Sequence, residues 1–351
     1  MRGALLRSLG IELPIIQAPM AGANGPEMAI AVSEAGGLGS LPCAMLTPEA
    51  ARAQIGNIRQ RTDKPFNLNF FVHAAPRIDA AKDAAWAARL KPYYDERGLT
   101  PEVLAGPARA PFEDALCSLV EEARPRVVSF HFGLPAPDLL ARVKAAGAYV
   151  LSSATTVREA LWLEANGADA IIAQGAEAGG HRGMFLSEDV GAQPGLFALL
   201  PQVADGVRVP VIAAGAVADA RGIAAAFTLG AHAVQIGTAY LFTPEATISP
   251  MHRARLASSH AEDSVLTNVL TGRPARSLRN RAIDELGPIA KDAPGFPLPA
   301  YPMAPLRAAA EKRGSDDFSP LWSGQSAALG RAMGAGELTH TLWREAQALM
   351  R

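Results

Sequence analysis

The chain has 351 residues, 49% of them hydrophobic and 19% charged, with a formal net charge of -1. That length suits one large domain, or one large and one small, and a near-neutral chain without a basic tract excludes a nucleic-acid surface. Cys43 and Cys117 are the only cysteines, which excludes a disulfide framework. Met1 to Gly10 is too short and polar for a signal peptide, and no apolar run reaches the length of a membrane span. A cytoplasmic protein with no membrane partner is therefore expected.

Short apolar runs alternate with helical stretches along the chain. Leu13–Ala18 and Leu38–Leu41 are the first two runs, and Pro48–Arg61 predicts a helix. Phe66–Val72 and Val127–Phe132 follow, then a helix over Ala136–Ala146 and a fifth run, Ala148–Ser152. A helix over Thr156–Asn166 leads to Ala170–Ala173. Val209–Ala213, a helix over Asp219–Leu229 and Ala233–Ile236 complete the series. The phrases Gly147-Ala148, Gly167-Ala168 and Gly230-Ala231 read as helix stops that feed the next strand. Eight strands alternating with helices predict an α/β fold with a parallel sheet closed as a (β/α)8 TIM barrel; an open doubly wound sheet is the alternative. Met20, Cys43, Asn69, His131, Ser153, Gln174, Gly215 and Thr238 fall at or just past the run ends, and closure gathers such ends into one ring. Residues 1–73 and 126–244 are assigned to the barrel. Residues 74–125, inserted after the third strand, and 245–351 are assigned to a smaller, mostly helical second domain or lid.

The loop Gln174–Gly183 after the sixth run carries a Gln, a His, an Arg and four glycines, the composition of a ligand site at a barrel mouth. The seventh and eighth runs end in Gly215-Ala216 and in Gln235-Ile236-Gly237-Thr238. Small residues there favour phosphate binding over mere turn-shaping. Asn69 and Gln174 can read the polar edge of a flavin ring or simply cap loops, and Ala18-Pro19-Met20 can face the same ring. Of the histidines, His181 is the stronger catalytic candidate and His131 the second. His73, His232, His252, His260 and His340 read as structural or exposed. No histidine pair has helical metal spacing, so no metal is expected. Cys43 reads more readily as a small buried hydrophobe than as a site residue. No serine sits in a Gly-x-Ser-x-Gly elbow.

The phrases Gln17–Gly22, Asn67–Phe71, Ser129–Gly133, Gln174–Gly183, Gln235–Thr238, Leu270–Arg276 and Leu321–Gln325 resemble the class I branch of the FMN-dependent nitronate monooxygenases, formerly called 2-nitropropane dioxygenases. The resemblance implies FMN at the strand C-termini. Its contacts fall on Ala18, Met20, Asn69, Gln174, Gly179, Gly215, Gln235, Ile236, Gly237 and Thr238. It implies His181 as the catalytic residue, with His131 and Tyr301 toward the substrate; the relatives' substrate-side Lys has no counterpart here. Ala216 stands where relatives usually carry a second glycine. The implied reaction oxidises an alkyl nitronate, propionate 3-nitronate for example, with O2 through a flavin semiquinone, releasing nitrite and a carbonyl product. The partners expected are these small molecules, in a monomer or homodimer. An FMN-dependent enoyl-acyl-carrier-protein reductase using NAD(P)H is the nearest rival, and a non-catalytic flavin-binding barrel is another. An inosine-monophosphate-type dehydrogenase would want a cysteine in the Gln174–Gly183 loop, which has none.

Overall fold

Apolar runs this short, bounded by glycine and proline, suit buried strands better than helices. In the computed structural model, which describes residues 2–100 and 111–351, every predicted run becomes a strand, with ends within two residues of those expected. The strands are β1 (Ile15–Gln17), β2 (Gly39–Pro42), β3 (Phe66–Phe71), β4 (Val127–His131), β5 (Tyr149–Ala154) and β6 (Ala170–Gln174). After a two-residue strand, β7 (Gly180–His181), come β8 (Val211–Ala214) and β9 (Ala233–Ile236). The parallel order β1-β9-β8-β6-β5-β4-β3-β2 closes through a bridge between Ile16 and Leu38, which makes a TIM barrel. Register sets Asn69 beside Ser129, Phe71 beside His131, and Gln174 beside Ala214 at one rim. At the other rim α1 (Arg2–Leu9) plugs the barrel, its Leu5 and Leu9 packing on Ile16, Leu38, Val127 and Ile212.

The helix ring revises the expected division of the chain. α2 (Pro26–Glu34) and α3 (Pro48–Arg61) follow β1 and β2. The segment after β3 holds α4 (Ala80–Arg97) and α5 (Asp114–Ala123). Leu116, Cys117, Leu119 and Val120 of α5 pack with Phe66, Leu68 and Val128, so α5 is a barrel helix although it lies inside the expected 74–125 insertion. Residues 101–110 of that insertion lie outside the described residues. α6 (Pro137–Ala145), α7 (Val157–Ala165), α8 (Leu196–Gly206) and α9 (Ala220–Thr228) continue the ring. Beyond β9 lie α10 (Pro250–Leu256), β10 (Ser264–Thr267), β11 (Ala275–Leu278), α11 (Arg281–Leu286), α12 (Ala300–Glu311) and α13 (Ala335–Leu349). Leu338, Leu342 and Ala346 of α13 pack with Met28, Val32 and Ile223, so α13 also belongs to the barrel rather than to a 245–351 lid. The amphipathic faces of both helices were legible, but which surface they cover is a tertiary matter.

What remains forms a second layer over the strand C-termini. Trp86, Leu90 and Tyr94 of α4 pack with Ile283, Leu286, Met303, Leu306 and Phe318. This layer is less purely helical than expected, because β10, β11 and β7 form an antiparallel sheet. Its third strand is the Gly180–His181 segment of the barrel's own loop. Among the described residues no helix is long and apolar enough to cross a membrane.

The closest backbone approach in the barrel wall lies at Gly39. A Cβ there would sit 2.0 Å from the Ala29 carbonyl oxygen of α2. Gly39→Ala should therefore cost about 2–3 kcal/mol through forced separation of α2 from β2. Urea unfolding reads this directly, and an unchanged midpoint would contradict the packing described.

Candidate active site

The loop that follows β6 is held by arginines. Arg182 is fully buried, and donates from Nη2 to the Gln174 carbonyl at 2.8 Å, from Nη1 to the Gly175 carbonyl at 2.6 Å and from Nε to Gln193 Oε1 at 2.7 Å. Arg276 of β11 donates from Nε and Nη2 to the next carbonyl, Ala176, at 3.1 and 3.0 Å. Burial pulls the Arg182 pKa down to about 10, so it remains a cation at neutral pH. Glu159, itself buried, accepts from the Phe185 and Leu186 amides at 2.7 and 3.2 Å and pins the far end of the loop. Gly179 is required by contact, since a Cβ there would lie 2.6 Å from the Gly324 nitrogen.

These anchors fix both candidate histidines. The His181 carbonyl accepts from Gln174 Nε2 at 3.0 Å and faces His131 Nε2 at 3.1 Å. Gln174 Oε1 in turn accepts from the Gly183 amide at 2.8 Å. A carbonyl only accepts, so His131 carries its proton on Nε2, and Nδ1 accepts from the Ser153 hydroxyl at 3.0 Å. Burial, with the nearby Arg273 and Arg182 charges, pushes the His131 pKa down to about 3. His131 is thus neutral, with both nitrogens committed to the protein. The ring braces the loop through these two bonds and also forms part of the cavity wall. His181 Nε2 lies 2.9 Å from Thr271 Oγ1. Phe296 and Trp322 stand 5.3 Å from its ring, and Phe71 and Phe132 stand 6.1 Å away.

Both histidines line a cavity of about 430 Å³. Its wall also contains Ala18, Met20, Asn69, Gln174, Gly179, Gly215, Gln235, Gly237 and Thr238, nine of the ten expected cofactor contacts. Ile236 is the exception: its side chain is buried outward among barrel and helix residues, and its carbonyl accepts from the Ala18 amide at 2.8 Å. Tyr301 lies in the first turn of α12 and is not part of the wall. Phe296, five residues earlier in the proline-rich stretch, approaches His181 instead. Cys43 is fully buried in a hydrophobic cluster, where desolvation pushes its thiol up to about 12. Residues the sequence reading did not place here include Phe296, Thr271 and His252, which is buried and lines the cavity. Thr271 and Trp322 sit inside phrases that carried the resemblance; Phe296 and His252 had no local signal.

A flavin fits the donor set. Gln235 Oε1 is a buried acceptor with no partner among the described residues, and Ala18, Ala214, Gly215 and Gly237 add small residues to the same wall. Gly215 and Ala216 are both left-handed, with φ of +95° and +57°, so the turn after β8 exposes backbone in a conformation that costs an alanine about 1–2 kcal/mol. Segment 323–326 closes over both glycine turns: Gly324 N donates to Thr238 Oγ1 at 2.9 Å and Ser326 Oγ to the Ala216 carbonyl at 3.0 Å.

Residues 2–345 match the family described as Nitronate monooxygenase. Proteins of that name from Pseudomonas aeruginosa and Paraburkholderia phytofirmans are 45% and 44% identical, and the alignments cover 97% of this chain and 97% and 94% of theirs. A crystal structure of nitroalkane oxidase from Streptomyces ansochromogenes superposes with a TM-score of 0.89 at 39% identity, covering 98% of each chain. FabK from Thermotoga maritima superposes at 0.75 with 30% identity, covering 99% of this chain and 96% of its own.

The neutral state of His131 sets a pH dependence. Unfolded, its imidazole titrates near 6.5; folded, near 3. Between those limits the folded chain binds fewer protons, so the His131 contribution is complete above 6.5 and is lost as pH falls toward 3. Urea midpoints should drop from pH 7 to 4.5. The drop should be shallower in His131→Asn, by at most about 1.4 kcal/mol per pH unit. Parallel slopes would assign the acid sensitivity to other groups.

Proposed function

Because the chain belongs to the nitronate monooxygenase family, we propose that it oxidises alkyl nitronates with O2 to nitrite and a carbonyl product, with His181 as the catalytic residue. The placement of His181 carries this reading: a histidine on the cavity wall, held by Thr271 at 2.9 Å and surrounded by Phe71, Phe132, Phe296 and Trp322. The family is flavin-dependent, and we take the flavin to be FMN, held by Asn69, Gln174, Gln235 and the two glycine turns. Segment 323–326 over those turns suits a terminal phosphate. The bound flavin supplies the redox chemistry; the protein binds and orients.

His181 has two tasks in this scheme. Toward a nitronate it holds an anionic oxygen by hydrogen bonding, and the aromatic wall excludes water that would weaken that bond. Toward a neutral nitroalkane it is the base for the acidic C–H. Thr271 fixes the ring through Nε2. His131 and Gln174 fix the same residue through its carbonyl, so ring and backbone are restrained independently. Arg182 donates to the Gln174 and Gly175 carbonyls and Arg273 to the Met184 carbonyl, and Arg273 lies 3.9 Å over the Phe132 ring. Their buried charge favours an anion in the cavity, with Glu159 and Glu177 offsetting part of it.

His181→Asn should lower turnover of propionate 3-nitronate by about 10²–10⁴-fold while flavin absorbance is retained. Undiminished turnover would remove His181 from the mechanism. Under anaerobic conditions the nitronate, and not NADH, should change the flavin spectrum. Bleaching by NADH would favour the enoyl-acyl-carrier-protein reductase alternative. Mass spectrometry of the released flavin identifies it as FMN or not.

A further inference from the structure

His252 is a second histidine whose chemistry the mechanism above does not use. It is only 5% exposed, yet it lines the cavity, and its Nε2 has no partner among the described residues. The Trp322 backbone hydrogen-bonds the ring, and Ser249 Oγ accepts from the His252 backbone amide at 3.2 Å. Burial draws its pKa down to about 4, with Arg307 adding to the effect, so the ring is neutral and Nε2 presents a bare lone pair. A buried acceptor left unpaired is costly, which marks it as a position where a ligand donor belongs.

The neighbouring wall has the same polarity. Glu311 takes Arg307 Nε at 2.7 Å and Ser319 Oγ at 2.8 Å on one oxygen, and all three residues line the cavity with His252. Trp322 connects this corner to the proposed reaction centre: its ring lies 5.3 Å from that of His181, and its backbone hydrogen-bonds the His252 ring. The corner and the proposed reaction centre therefore share the Trp322 wall of one cavity.

We propose that His252 Nε2 and the Glu311 carboxylate form a specificity subsite for an O–H or N–H donor on the substrate chain, so that hydroxyl- or amino-bearing nitronates are preferred to plain alkyl nitronates of equal length. The proposal rests on the functional reading above. An alkyl chain in that corner leaves the acceptor unpaired, and sites built to bond a hydroxyl discriminate against analogues that lack it.

The holoenzyme should be assayed with the nitronates of 3-nitropropan-1-ol and 1-nitrobutane, which have matched lengths. Wild type should favour the hydroxylated nitronate in kcat/KM by about tenfold. His252→Leu should abolish that preference, and His252→Gln, which keeps a polar group there, should retain part of it. Binding of 4-hydroxybutanoate and pentanoate, read as a perturbation of the flavin spectrum, should show the same order without turnover. Equal handling of both nitronates by wild type overturns the subsite and leaves the functional reading intact. Failure to oxidise either one removes the functional reading, while the carboxylate titration still tests the subsite. Loss of flavin from both variants overturns it too, since His252 would then face the cofactor.

Discussion

Strand β6 ends with carbonyls that have no onward strand to pair with, and a buried guanidinium takes them. Arg182 holds Gln174 and Gly175, and Arg276 holds Ala176. Unpaired, such carbonyls would impose a desolvation cost of about 1–3 kcal/mol each. Paired, they let the chain turn sharply within the glycine-rich segment and return as β7. The Gln174 amide then bridges the loop's two ends, bonding the His181 carbonyl and the Gly183 amide. The position of His181, the brace from His131 and the second layer's sheet all follow from that turn.

The barrel was legible because each βα unit carries its own punctuation. Short apolar runs repeat eight times, three of them directly after a Gly-Ala helix stop, and no tertiary knowledge is needed to count them. The division of the chain was less legible: α5 and α13 have the same amphipathic grammar as any surface helix, and only packing shows that they finish the barrel. The cavity wall was largely readable from strand ends. Ile236 was the misplaced residue, and strand parity accounts for it: neighbours on a strand face opposite ways, so with Gln235 toward the cavity, Ile236 must face the helices. The approach of Phe296 to His181 joins residues more than a hundred apart in sequence, and the brace at His131 joins it to Ser153 and His181, 22 and 50 residues on. No local pattern encodes them.

The cavity's charge balance is set by burial more than by residue type. Its three histidine neighbours are not equivalent: His131 and His252 are held neutral by desolvation, and His181 alone is tied to a hydroxyl from the second layer. Arg182 and Arg273 keep their charge because carbonyl oxygens and an aromatic face solvate them in place of water. The positive field near the loop thus comes from groups that never reach the ligand. Barrels of this kind host many unrelated reactions, so the fold alone does not select the chemistry; loop contents do.

The pairing of β7 with β11 has a mechanical consequence. Two adjacent residues, Gly180 and His181, belong at once to a barrel loop and to the sheet of the overlying layer. A hinge motion lifting that layer would have to break the pairing and carry His181 away with it. The layer is therefore tied to the barrel at the residue proposed to be catalytic, and any lifting of it has to uncouple that tie first.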